Sequence, residues 1–219
     1  MPAAKAASAT RYKLTIEYVG TQYCGSQRQP QNKHPTVQES LEDVLQTLTP
    51  RAPNLPTAHF TGRTDKGVHA IGSVVHVDLT RRNAAGDVKE PYTEVELLNA
   101  LNCKLPKTCG VVAAAKVPSS FHAQLSASSR TYVYRIKCAS VGSCHSGPAA
   151  AVRAVSCPAL NKRGWISVHD HDAALCLATA LDVPAMQAAA QVLCGRHDFS
   201  AFRSTRCTDP PMRTLDKLE

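Results

Sequence analysis

From Tyr12 to Tyr18 the sequence YKLTIEY carries a large apolar residue at every second position, and from Val37 to Leu48 the apolar spacing changes to three and four. This switch of period, from 2 to 3.6, restricts the fold more than any other feature. Tyr12, Leu14, Ile16 and Tyr18 share one face of an extended segment and Lys13, Thr15 and Glu17 share the other, which is the pattern of a half-buried strand. Val37, Leu41, Val44, Leu45 and Leu48 fall on one helical stripe. Thr36, with Glu39 three residues on, opens that helix with a capping box, and Pro50, Pro53 and Pro56 close it. A short strand leads into FTGRTDKGVHA, Phe60 to Ala70, and SVVHVDL leaves it. Thr93 and Glu96 form a second capping box ahead of Leu97, Leu98 and Leu101, and GVVAAAKV and RTYVYRIK read as strands. The order strand, helix, two strands, helix, two strands predicts an α+β fold with ferredoxin-like (RRM-like) halves, a mainly antiparallel sheet with helices on one face.

Around this core the chain divides. Residues 1–11 read as a flexible N-terminal tail; their Ala, Ser, Lys and Arg, with no acid, also match a transit peptide. Residues 12–138 hold the N-terminal ferredoxin-like half. Residues 139–161, ending SCPALN, are small, polar and aperiodic, and read as an irregular insertion. Residues 162–219 read as an incomplete second half. Within it Asp182 caps a helix, Pro184 sits in its first turn, Met186, Ala189, Ala190 and Leu193 form its stripe, and Gly195 ends it. Basic residues then interleave with Phe199 and Phe202.

Composition narrows the function classes. Among 219 residues, 43% are hydrophobic, enough for a core, yet no apolar run nears the roughly 18 residues of a membrane helix. No membrane partner is expected. The net charge of +8 comes from 25 Lys+Arg against 17 Asp+Glu, which serves solubility or a polyanionic partner. Nine cysteines are scattered with no CxxC pair, and no secretory signal opens the chain. Reduced thiols of an intracellular protein follow, the compartment left open. The run HDHD, His169 to Asp172, reads as a solvated polar loop rather than a ligand set, so no metal is expected. No P-loop and no GxGxxG occurs, so no nucleotide cofactor is indicated.

The loop FTGRTDKGVHA is harder to explain as a plain turn. Gly62 and Gly67 would serve a turn, but Arg63 is not needed for one. Asp65 can be a turn former, an ion-pair partner of Arg63, or a reactive carboxylate kept ionised by the nearby arginine. Tyr132 and Tyr134 alternate along RTYVYRIK and can pack in a core, or stack on an unpaired base. Arg28, in SQRQ, can be a solvated loop residue or grip a phosphate or flipped base.

GRTDKGVHA resembles the signature of the TruA-type tRNA pseudouridine synthases. The resemblance extends in order along the chain. LTIEYVGTQYCGSQRQ is similar to that family's opening strand and loop, whose usual form has Trp where this chain has Ser26. TVQESLEDVL is similar to its first helix, VPSSFHAQLSASSRTYVYRI to its FHAR segment, and LCGRHDFSAFRS with MRTL to its later elements. The resemblance implies a tRNA pseudouridine synthase acting on uridine in tRNA, with no cofactor and no metal. It implies that Asp65 is catalytic, that Arg63 orients it and helps hold the target base out of the helix, and that Tyr132 stacks on the uracil. Arg28, His122 and Arg130 match basic positions near the RNA-binding cleft. A homodimer sharing one tRNA is implied as the oligomer.

One departure follows from the same resemblance. The family continues after RTL with a strand and a helix, whereas this sequence stops at Glu219. The expectation is therefore a fragment or a truncated relative. Two other readings stand beside the enzyme: a catalytically incompetent RNA-binding module of the same fold, and a ferredoxin-like interaction domain with no RNA role.

Overall fold

The computed structural model describes residues 9–29, 34–50, 52, 54–83, 85–138, 160–161, 164–165, 173–177, 181–205 and 207–218. Residues 1–8 of the expected 1–11 tail, most of the 139–161 insertion and the HDHD run lie outside these residues, while Thr10 and Arg11 of that tail belong to a strand. Two compact units divide the chain, one up to Tyr132 and one from Val133.

The first unit runs β1 (Thr10–Tyr18), α1 (Val37–Leu48), β2 (His59–Phe60), β3 (Ala70–Leu79), α2 (Glu94–Asn102) and β4 (Cys109–Lys116). Its sheet has the order β2-β3-β1-β4, and every neighbouring pair is antiparallel. This is the βαββαβ arrangement of a ferredoxin-like fold, as the alternating periods predict. Each helix returns the chain across the sheet and leaves a place for a strand from the other half of the repeat.

The stripes meet where the periods require. Tyr12, Leu14 and Ile16 of β1, with Val75 and Val77 of β3, pack against Val37, Leu41 and Leu45 of α1 and Leu97 and Leu101 of α2, all fully or almost fully buried. Each such side chain contributes about 1.5–3 kcal/mol by leaving water. Both capping boxes form. The Thr36 and Thr93 hydroxyls accept from the amides of Glu39 and Glu96, whose carboxylates accept from the two cap amides in return. Tyr12 spans the core to donate its hydroxyl to the Tyr92 carbonyl at 2.7 Å, and Asn102 fixes α2 to β4 by bonding both the amide and the carbonyl of Val111 at 2.8 Å. The helix-free face is crossed by the segment after β4. There Arg11 pairs with Asp78 at 2.6 Å and donates to the carbonyls of Ser119 and Phe121.

The second unit contains β5 (Ile136–Cys138), β6 (Leu160–Asn161), β7 (Gly164–Trp165), β8 (Leu175–Leu177), α3 (Val183–Leu193), β9 (Gly195–Asp198) and β10 (Met212–Leu215). β5 pairs parallel with β8, β6 antiparallel with β7, and β9 antiparallel with β10. Asp182 caps α3, accepting from the Ala185 amide at 2.9 Å, and Gly195 follows the helix with φ of +104°. The stripe on α3 is not fully buried: Met186 and Ala189 are exposed, and Ala190 and Leu193 are half-buried.

One expected element is corrected. RTYVYRIK is a strand only at its end, in β5; Arg130 to Arg135 form no ladder and are exposed. Alternation describes a segment able to lie half-buried, but a strand also needs a partner; among the described residues the one backbone bond from another strand to these six is that of the Leu175 amide to the Arg135 carbonyl at 2.8 Å, at the edge of the β5–β8 pair.

Candidate active site

The loop between β2 and β3 is built on its neighbours. The Thr61 amide donates to the Val74 carbonyl at 2.8 Å, closing the hairpin base. The next residues are held by the connection between β1 and α1. Thr64 donates its amide to Ser26 Oγ at 2.8 Å, its carbonyl accepts from the Ser26 amide at 3.0 Å, and its hydroxyl shares a 2.9 Å bond with the Tyr18 hydroxyl. Beyond it, the Val68 amide bonds the Asp65 carbonyl at 3.2 Å, closing a turn whose third residue is Gly67 at φ of +83°. A side chain there would be strained by the backbone alone, since nothing lies within 4 Å of its Cβ position.

Close approach explains another glycine. A Cβ on Gly20 would come 2.0 Å from the Val68 carbonyl oxygen, so the single 3-10 turn Gly20–Gln22 touches the loop backbone directly. The Gly20 amide also donates to His69 Nδ1 at 3.3 Å. From the other side, Arg130 donates Nη2 to the Thr61 carbonyl at 2.8 Å, and its Nε lies 3.2 Å from the Cβ position of Gly62.

Held in this way, the loop presents Arg63, Asp65 and Lys66 to solvent. Among the described residues the Arg63 and Asp65 side chains form no hydrogen bond or ion pair, to each other or to anything else. The Arg63–Asp65 pairing that the sequence allows is absent; both groups are left free for a ligand. Lys66 also borders an open hollow between the 3-10 turn, Pro35 just ahead of α1, and Thr108.

The remaining expected residues lie as follows. Arg28 donates Nη2 to the buried Glu42 carboxylate at 2.6 Å, and that carboxylate also accepts from the Ala58 amide and Gln38. Its guanidinium is half exposed beyond that pair. Tyr132 is 74% exposed, so its ring is no core residue of the unit it ends. His122 belongs to a cluster: its ring centroid is 4.7 Å from that of His76, which stacks on His59 at 4.7 Å. One ring nitrogen from each of the three lies within 4.8 Å of the others. The spacing invites a metal, but the tautomers oppose one. Nδ1 of His76 accepts from the Ala123 amide, and Nδ1 of His122 from those of Gln124 and Leu125, which leaves the proton of each neutral ring on Nε2.

Sequence reasoning did not single out Tyr18, Ser26, Thr64, His59 or His76. For His76 a signal existed, a polar residue between Val75 and Val77 on the outer face of β3. Ser26 gave none.

A family model for tRNA pseudouridine synthase matches residues 14–125. tRNA pseudouridine synthase A of Afipia carboxidovorans is 39% identical over 211 residues, 95% of this chain and 71% of the relative. The protein of the same name from Rhodospirillum rubrum is 39% identical, with 95% of this chain and 62% of the relative covered. That from Methylobacterium nodulans is 40% identical, with 95% and 68% covered. The chain thus spans roughly two thirds of the length of these curated relatives.

Proposed function

Because the chain belongs to the tRNA pseudouridine synthase family, we propose that it isomerises uridine to pseudouridine in tRNA, with Asp65 as the catalytic carboxylate. The observation that carries this is the state of the loop: its backbone is bonded on both flanks, while the Asp65 and Arg63 side chains are exposed and, among the described residues, unpartnered. A turn former would use its carboxylate within the turn. Here that carboxylate is left over.

The reaction breaks the N1–C1′ bond of the uridine, turns the ring, and forms a C5–C1′ bond; C5 loses a proton and N1 carries one. Atoms balance without any co-reactant. The target base must first leave its stack, which costs a few kcal/mol. Arg63, two residues before Asp65 and without a side-chain partner among the described residues, can fill the vacated space and contact the RNA backbone. The Asp65 carboxylate is then the nucleophile that holds the detached half of the nucleoside while the ring turns. Tyr132, exposed and aromatic, serves as a stacking surface for the flipped base. Arg130 reaches the RNA from its place against Thr61 and Gly62, and Arg28, held against Glu42 of α1, and His122, from the histidine cluster, add contacts. A homodimer around one tRNA, and work inside the cell where tRNA is found, belong to the same proposal. Among the described residues no helix is long and apolar enough to cross a membrane.

Mass spectrometry of tRNA treated with the purified chain tests the reading, and Asp65→Asn sharpens it. The variant keeps size and removes charge, so pseudouridine formation is expected to vanish while tRNA affinity stays within a few-fold. Turnover by the variant in a C5-tritium release assay would refute the nucleophile. Binding of tRNA without pseudouridine from the parent chain would instead support the RNA-binding module.

A further inference from the structure

We infer that the hydroxyls of Tyr18, Ser26 and Thr64 form the device that positions Asp65, with Ser26 as its central positioning residue; the inference rests on Asp65 being the reacting carboxylate. Since neither Asp65 nor Arg63 has a side-chain partner among the described residues, the direction of the carboxylate is set by the backbone that carries it. That backbone is fixed one residue earlier. All three polar groups of Thr64, its amide, carbonyl and hydroxyl, are bonded, and both partners lie far back in the sequence, at Ser26 and Tyr18.

Ser26 is fully buried, as an apolar residue would be, yet it is spent on Thr64 twice, through its amide and its hydroxyl. Tyr18 is 4% exposed and its phenol is pushed up by burial, with hydrogen bonds to Thr64 and Ser26 pulling the other way. The Tyr18 and Thr64 hydroxyls bond each other, and the Ser26 hydroxyl takes the Thr64 amide, so Thr64 is held from two sides beneath the loop. Gly25, at φ of +100° with its Cβ position 2.7 Å from the Thr64 carbonyl oxygen, lets the two backbones meet. The contact of Gly20 with Val68 and His69 secures the far end. Asp65 lies between two clamps, and of these the nearer one depends on a single buried serine.

Ser26→Ala removes the acceptor for the Thr64 amide and keeps the backbone bond. Two readouts follow. In hydrogen exchange of the parent chain without RNA, the Thr64 amide is protected and the variant exchanges it about tenfold faster, while the Thr61 amide keeps its rate. In turnover on tRNA, kcat falls roughly 10- to 100-fold, the scale of a displaced reacting group, with KM within about threefold. Tyr18→Phe moves both readouts in the same direction by less. Thr49→Val removes another buried hydroxyl, one bonded to the Leu45 carbonyl at the far end of α1, and so reports general destabilisation; it is expected to move neither readout. The inference is overturned if Ser26→Ala leaves Thr64 exchange or kcat as in the parent, or if Thr49→Val lowers kcat equally. A parent chain that makes no pseudouridine overturns the functional reading, and the catalytic role of the clamp with it, while the exchange comparison still decides whether the clamp exists.

Discussion

Tyr132 carries a large, mostly bare ring at the end of the first unit, and Tyr134 is barer still at 88% exposed. Rings so placed leave their hydrophobic area in water until something covers them, and a flipped base fits that role. Tyr132→Phe keeps the ring, so tRNA affinity is expected to stay near that of the parent. Tyr132→Ala is expected to weaken it by about 1–3 kcal/mol, measurable by fluorescence anisotropy. Two variants that bind alike would remove the stacking role. At this scale the sequence was legible where residues adjoin. Gly62, Arg63, Asp65 and Gly67 announce a loop with more than a turn to make, and the structure adds that the charged pair is not paired. The serine was illegible because its partner is 38 positions away, and a lone Ser in a polar loop looks like any other.

Among the elements, the helices were the most readable, because a capping box and an apolar stripe are complete within a dozen residues. The segment Arg130–Lys137 was misread for the opposite reason: only its end forms a strand, and the partner of that end, β8, is not local. The centre of β3 shows a different kind of element-scale effect. His76 is buried, stacked with His59, beside His122 and Arg11, and faces Asp78 as the one acidic neighbour. Burial first, then the neighbouring positive groups, push its imidazole down to about 4. The native state therefore refuses a proton that the unfolded chain accepts near the ordinary histidine value of about 6.5. Stability from this source is full above that value, falls as pH drops from about 6.5 towards 4, and levels off below, a loss on the order of 3 kcal/mol. Asp78 acts in a lower window, since Arg11 holds its carboxyl below the usual range and that contribution is lost only in stronger acid. Denaturant melts between pH 7 and 4 are expected to show the first loss and His76→Gln to flatten it; an unchanged slope in that variant would assign the loss elsewhere.

At the scale of the molecule, the ferredoxin-like topology was readable because the order of periods admits few alternatives once the helices must cover one face of one sheet. The second unit was less so: its described strands are two to four residues long and pair in twos, too short for alternation to register. The net charge of +8 suits a polyanionic substrate, and phosphate contacts would make tRNA affinity fall steeply with salt. Titrations from 50 to 200 mM salt check this, a flat response arguing against RNA backbone binding.

The bonds from Thr64 back to Ser26 and Tyr18 also set an order of events. They span 38 and 46 residues, with α1 and the β2 approach lying between. Local turns and capped helices close quickly; contacts across such a separation wait for the intervening chain to be placed. The loop that carries Asp65 is therefore expected to be among the last parts of the first unit to become ordered, its completion reporting that β1, α1 and β3 have already docked. Pulsed hydrogen exchange during refolding is expected to protect the α1 amides before the Thr64 amide. Simultaneous or earlier protection of Thr64 would mean that the turn from Asp65 to Val68 orders the loop without help, and a newly made chain would then present its carboxylate before it had a fold to aim it.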